Sequence, residues 1–204
     1  MSNLEFTKKQ RDTLKELFNV GIGRAASNLS VMVGARVELT VPSLNVFSFH
    51  SLGVELEGIG LDDISAVSQP FSGPIAGTAM LVFPRASALK IVSLLVGEES
   101  DSAKQELKKS TTLIEVGNIF LNGIMGTIGN MMNVEIGYSI PTFKEGTLLE
   151  VVKDNSKPSS SVVFMVKANF KVERSIVEGD FVFLYDGSSF DKLFSALDRV
   201  ERLA

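Results

Sequence analysis

Cysteine is absent from the 204 residues, and histidine occurs once, at His50. The first absence excludes disulfides, thiolate catalysis and cysteine-bound metals. The second excludes multi-histidine metal centres and most histidine relays. His50 sits in an apparent strand or turn without local partners and reads as a bland residue. A basic excess is also missing, because the formal net charge is −4. Sequence-independent nucleic-acid binding needs a basic surface, so no nucleic-acid partner is expected. The first residues show no basic region leading into an apolar core, so no export signal is expected. With no cysteine to suggest an oxidising compartment, the expected location is cytoplasmic. Charge is lacking as well from Val116 through Val134. That length invites a membrane span, but Asn118, Asn122, Asn130 and Asn133 lie within it. Unpaired amides are expensive in hydrocarbon. The stretch therefore reads as a helix buried between other elements, with one polar strip and no membrane insertion.

What is present is an ordinary globular composition, with 45% hydrophobic and 22% charged residues. Thr7-Lys-Lys-Gln10 has capping-box spacing and predicts the start of a first helix. Leu14, Leu17, Phe18, Ile22, Ala25, Ala26 and Leu29 then recur at helical spacing, and Gly34 supplies a left-handed stop. Residues 36–48 and 53–83 read as strands in hairpins, and 86–96 as a short amphipathic helix. Residues 98–109 read as an exposed, partly helical link. A long apolar helix follows from about Thr111 to Met132, with Asn133 as its left-handed cap. Strands are expected at about 134–140, 147–153, 161–171 and 180–186, with a polar hairpin tip at Asp154–Ser161. Phe190 to Leu203 closes the chain as a helix with Leu193, Phe194, Leu197, Val200 and Leu203 on one side. The expected fold class is α+β: helix, strands, helix, twice over, with long motif helices packed on antiparallel sheet. A pseudo-two-fold axis relates repeats at about 7–97 and 103–204 within one domain spanning 1–204.

One pattern occurs twice, 99 residues apart. Asp12-x3-Glu16-x2-Asn19 is followed after 22 residues by Pro42, and Thr111-x3-Glu115-x2-Asn118 after 22 residues by Pro141. Superposing 12–44 on 111–143 gives six identities, which include Glu16/Glu115, Asn19/Asn118 and Pro42/Pro141. At 100° per residue, Asp12, Glu16, Asn19, Gly23 and Ser27 form one strip, opposite the apolar stripe. Thr111, Glu115, Asn118, Asn122 and Gly126 form the second. Gly21 and Gly23 each cost about 1 kcal/mol in a helix interior, and close approach of a partner is one reason to keep them.

Neither strip pairs a nucleophile with a base, and neither has the donor set of a metal site. Asn orients water by donating and accepting hydrogen bonds, the role a glutamine plays in GTPases. Glu pairs with a partner's cation and fixes docking register. The pair suits a site completed by another protein that brings the phosphoryl group and metal. A structural reading stands beside this one. Thr112-Leu-Ile-Glu115 is itself a capping-box pattern, which would make Glu115 a cap of its own helix; Thr13-Leu-Lys-Glu16 matches it, but a helix that starts at Thr7 puts Glu16 too deep to cap.

The doubled motif resembles that of the CheC/CheX/FliY family of chemotaxis phosphatases, whose pattern is Asp or Ser, x3, Glu, x2, Asn, x22, Pro. Asp12, Glu16, Asn19 and Pro42 match it in full; the second copy departs only at Thr111. Two copies in about 200 residues make the chain look most like the CheC-type members, since CheX-type members keep one copy and FliY-type members carry a further domain. The resemblance implies hydrolysis of the aspartyl phosphate of the response regulator CheY. Asn19 and Asn118 would align the attacking water, and Glu16 and Glu115 would form salt bridges with the regulator's lysine. It implies no cofactor in this chain, with Mg²⁺ carried by the response regulator, and it adds the receptor deamidase CheD as a further partner. The alternative is a non-catalytic adaptor that binds a response regulator or CheD. A generic two-repeat structural protein would explain the fold but not the doubled Glu/Asn pair.

Overall fold

The computed structural model describes residues 7–49, 63–97, 102–156, 160–172 and 175–203. Helix α1 spans Lys8–Val33. Thr7 accepts from the Gln10 backbone while the Gln10 side chain accepts from the Thr7 backbone, so the expected capping box forms. Gly34 ends the helix at φ 64°. Leu14, Phe18, Ile22, Ala25, Ala26 and Leu29 are buried, and Leu17 is partly so. Strands β1 (Val37–Ser48), β2 (Ile64–Ser72) and β3 (Gly77–Pro84) follow, then helix α2 (Arg85–Val96). Helix α3 (Ser102–Met132) leads to β4 (Gly137–Tyr138), β5 (Thr142–Gly146), helix α4 (Leu148–Asn155), β6 (Ser160–Val172), β7 (Ser175–Asp186) and helix α5 (Gly187–Leu203). Asn133, at φ 54°, takes the left-handed position after α3, as Gly34 does after α1.

All described pairings are antiparallel, in the order β1-β6-β7-β3-β2, with both β4 and β5 on the far side of β2. The α+β class with helices on an antiparallel sheet is therefore as expected. The main core lies on one face, where Phe18, Phe120, Phe170, Phe181 and Phe183 meet residues of α1, α2, α3 and α5. The Phe120 ring stands edge-on to Phe170 at 5.3 Å. A smaller core lies on the opposite face, where Leu148, Val151 and Val152 of α4 cover Ile64, Met80, Val82, Val163 and Val182.

Four expectations need correction. Residues 147–153 are the N-cap and body of a helix, not a strand, because Thr147 and Glu150 form a capping box and Leu148, Val151 and Val152 share a buried face. The Asp154–Ser161 tract consequently leads from α4 to β6 and is not a hairpin tip between strands. Residues 134–140 hold only the two-residue β4, while Thr142–Gly146 forms a strand that apolar patterning did not announce. Helix α3 begins at Ser102 and not near Thr111, so the helical part of the link belongs to it. Lys104–Leu107 are exposed, but Lys109 is fully buried: its ammonium meets Glu106 at 2.6 Å and Glu145 of β5 at 3.1 Å. His50 lies outside the described residues. No helix among the described residues is long and apolar enough to cross a membrane.

Candidate functional site

Both Glu/Asn pairs fall on the exposed faces of the two long helices. Asp12, Glu16, Asn19, Gly23 and Ser27 are all exposed on α1, and Thr111, Glu115 and Asn118 are exposed on α3. Asn122 and Gly126 are half-buried. The capping reading fails for both glutamates. Helix α1 starts at Lys8 and α3 at Ser102, so Glu16 and Glu115 lie well beyond the first turn, where free backbone N–H groups are found. Pro42 lies in edge strand β1, where the register shifts between Thr40 and Ser43. An edge or bulge is where a strand tolerates a residue without N–H.

The two helices cross closely. A Cβ on Gly21 would lie 2.8 Å from the Cα of Ile124, and one on Gly123 would lie 3.2 Å from the carbonyl oxygen of Gly21. The close neighbour of Gly21 is thus α3 of the same chain and not an outside partner. Gly23 has nothing within 4 Å of its Cβ position and stays open to solvent. Other contacts hold each helix in place. Gln10 of α1 donates to Asp198 of α5 at 2.6 Å. The buried Lys109 ties α3 to β5 through Glu145, which also accepts from Ser65 of β2 at 2.8 Å. Burial raises the Glu145 pKa, but the Ser65 and Lys109 hydrogen bonds outweigh it and hold the carboxyl below its ordinary range.

The copies differ around the asparagine. Among the described residues, Asn19 has no side-chain hydrogen bond, and its strip runs into a shallow groove lined by Gly23, Ser27, Ser30, Val31 and Arg36. The Asn118 oxygen accepts two bonds, one from the Asn122 amide at 2.8 Å and one from the Gln69 amide at 3.3 Å. Gln69, on β2, is only 3% exposed and also donates to the Ser139 carbonyl at 3.2 Å. Sequence patterning missed Gln69. Its only local signal is an amide within the mostly apolar run Ile64–Phe71, and its partners lie on other elements. Gly117 explains the reach. A Cβ there would lie 2.6 Å from Val67 Cγ1, so its absence lets α3 lie directly on β2. The corresponding residue of α1 is Phe18, whose ring packs 5.2 Å from Phe183.

The fold is shared with proteins of the flagellar switch and chemotaxis systems. The chain superposes on Thermotoga maritima FliY with TM-score 0.69 and 17% identity, covering 96% of this chain and 99% of that one. It superposes on the FliM middle domain from H. pylori with TM-score 0.63 and 15% identity, covering 94% and 99%. A CheX from Borrelia burgdorferi, crystallised as a CheX-CheY-BeF3-Mg²⁺ complex, superposes with TM-score 0.51 and 18% identity, covering 81% and 96%. No protein-family model matches the chain. In sequence, it is 22% identical over 198 residues to the CheY-P phosphatase CheC of Bacillus subtilis, covering 93% of this chain and 94% of CheC. It is 21% identical to the flagellar motor switch phosphatase FliY of the same organism, covering 95% of this chain and 50% of FliY. The chain is thus a relative of the CheC/CheX/FliY chemotaxis proteins, as the doubled motif suggested. CheC matches it end to end, and FliY over half its own length.

Proposed function

We propose that this protein is a phosphatase for a phosphorylated response regulator of the CheY type. The observation that carries the reading is the pair of exposed strips, each presenting a glutamate and an asparagine one helical turn apart. Neither strip pairs a nucleophile with a base or offers a metal donor set, so in this reading the partner brings the phosphoryl group and its Mg²⁺. The regulator's lysine pairs with Glu16 or Glu115, which sets the docking register. Asn19 or Asn118 then reaches the acyl phosphate and positions water. Water attacks phosphorus in line, the bond from phosphorus to the aspartyl oxygen breaks, and the products are inorganic phosphate and the free carboxylate. Support comes from the match to a protein named CheY-P phosphatase over more than nine-tenths of both chains. A structural neighbour crystallised with CheY, BeF3 and Mg²⁺ adds to it. Exposed apolar residues beside each asparagine suit a protein partner: Val20 next to Asn19, and Ile140, 86% exposed, next to the Ser139 that Gln69 holds.

The reading includes an internal duplication. If β1 exchanges with β5, β2 with β6 and β3 with β7, the sheet order reads the same from the opposite edge. Helix α4 has no counterpart among the described residues of the first half. The same exposed strips also suit a docking reading, in which they bind a regulator without turnover.

The test is loss of phosphate from a phosphorylated CheY-type regulator in the presence of substoichiometric protein. The wild type should accelerate it catalytically, and Asn19→Ala with Asn118→Ala should return the rate to the regulator's own. An undiminished rate in that double variant sinks the assignment, and acceleration only at stoichiometric amounts favours docking.

A further inference from the structure

The hydrogen bonds around Asn118 form a chain with a fixed direction. The Ser139 carbonyl can only accept, so the Gln69 side chain must turn its NH₂ toward it. That NH₂ has two protons. One goes to Ser139 and the other to Asn118, so the Asn118 carboxamide must turn its oxygen inward. Asn122, four residues along the helix, donates to the same oxygen at 2.8 Å. Both lone pairs of the Asn118 oxygen are then taken, and its NH₂ is the arm left for a partner. The arrangement has an energetic cost. The Gln69 oxygen and the Asn122 oxygen are buried without a hydrogen-bond partner among the described residues, which folding alone disfavours.

We infer that Gln69 and Asn122 are positioning residues that lock Asn118 with its oxygen inward and its amide outward, making the second copy a preorganised donor and the faster site. This rests on the phosphatase reading above. With its oxygen saturated, Asn118 acts on water or a phosphoryl oxygen only by donating. Accepting a proton from the attacking water then falls to the regulator, because Glu115 is paired with its lysine. Asn19 has no such brace. Gly23 stands where Asn122 stands in the second helix, and Phe18 holds α1 off the sheet where Gly117 lets α3 approach. Its carboxamide is free to rotate, so each encounter must fix it, and that cost falls on the chemical step.

The test measures kcat and KM separately for dephosphorylation of a CheY-type regulator charged with a small acyl phosphate. Asn19→Ala leaves the second copy alone. In that chain Asn122→Ala should lower kcat about ten-fold, in the range of lost orientation, with KM unchanged. Gln69→Leu should do the same; because Gln69 is buried, Asn122→Ala carries the decision if that variant folds poorly. With Asn118→Ala already present, Asn122→Ala should cost nothing further, because the brace acts only through Asn118. The converse graft uses the open space at Gly23. Gly23→Asn in the Asn118→Ala chain should raise kcat about three-fold by giving Asn19 a donor at the same spacing. An unchanged kcat for Asn122→Ala in the Asn19→Ala chain overturns the brace while leaving the phosphatase reading intact. An undiminished rate in the Asn19→Ala, Asn118→Ala double variant removes the reading beneath it and the brace together. A graft that raises nothing shows that the amide at this spacing is not the source of the difference.

Discussion

The two motif helices carry the same pair of side chains on different foundations. On α1, Glu16 and Asn19 stand on a helix whose core side is filled by Phe18, and the asparagine is exposed with no side-chain hydrogen bond among the described residues. On α3, the residue before Asn118 is a glycine, the helix rests on Val67, and the asparagine is gripped from two directions. The difference shows that a repeated motif specifies which groups are offered, while residues outside it decide how firmly they are held. Substitution at one buried position, phenylalanine against glycine, sets the distance between helix and sheet and so determines whether a strand side chain can reach the site.

The largest break in this comparison should come from Gly117→Ala. The added methyl meets Val67, whose branched side chain is stiff at χ1 and yields little. Overpacking of this kind costs about 1–3 kcal/mol, and we expect a value near the top of that range. Lifting α3 should also part Asn118 from Gln69. Thermal melts should show the lost stability, and kcat in the Asn19→Ala chain should fall with it. A normal melt with full activity would show that helix height is not what sets the brace.

A smaller effect separates the fold's own pH dependence from that of either copy. Asp180 of β7 is buried away from both strips, and its carboxyl is pushed up to about 6 by burial; Glu178 adds to this and Lys167 opposes it. A carboxyl with a raised folded value binds more protons in the native state than in the unfolded chain between about pH 4 and pH 6. Stability is therefore greatest below that window, falls as pH rises through it, and levels off above. Asp180→Asn should recover about 2 kcal/mol at pH 7.5 and almost nothing at pH 4, as read from denaturant titrations at the two values. The ratio of rates between the copies should not move, since Asp180 touches neither. Equal gains at both pH values would remove the titration as the cause.

The smallest effect tests the open glycine. Gly23→Ala adds a methyl that meets nothing, in a helix interior where alanine is favoured by about 1 kcal/mol, so the melting temperature should rise slightly. A loss of stability would show that α1 is not a plain helix at that point.

Much of this was legible in the residues. Periodicity placed the core face of α1, capping-box spacing found its start, and Gly34 and Asn133 marked both left-handed stops. The Glu/Asn strips are exposed where helical geometry put them. What failed has a common physical origin. Val151 and Val152 look like strand residues because β-branching favours strands, yet their place on the buried face of a capped helix decides otherwise. Lys109 reads as solvated because lysine usually is, and its burial is made tolerable by Glu106 beside it and by Glu145, which is distant in sequence. Gln69 is invisible for the same reason: its meaning lies in Asn118 and Ser139, which are brought to it by tertiary packing.

The strand order has a consequence for how the chain is made. The only described ladder of β1 is with β6, where Val37 lies opposite Val172, and β5 pairs only with β2. Neither half can complete its own sheet. Among the described strands none made before β6 pairs with β1, so synthesis must pass Val172 before β1 acquires one of them as a neighbour. Closing so long a loop is slow, and the unpaired edge is where misassembly begins. Pro42 supplies no N–H to that strand, which makes it a poorer template for foreign strands while it waits.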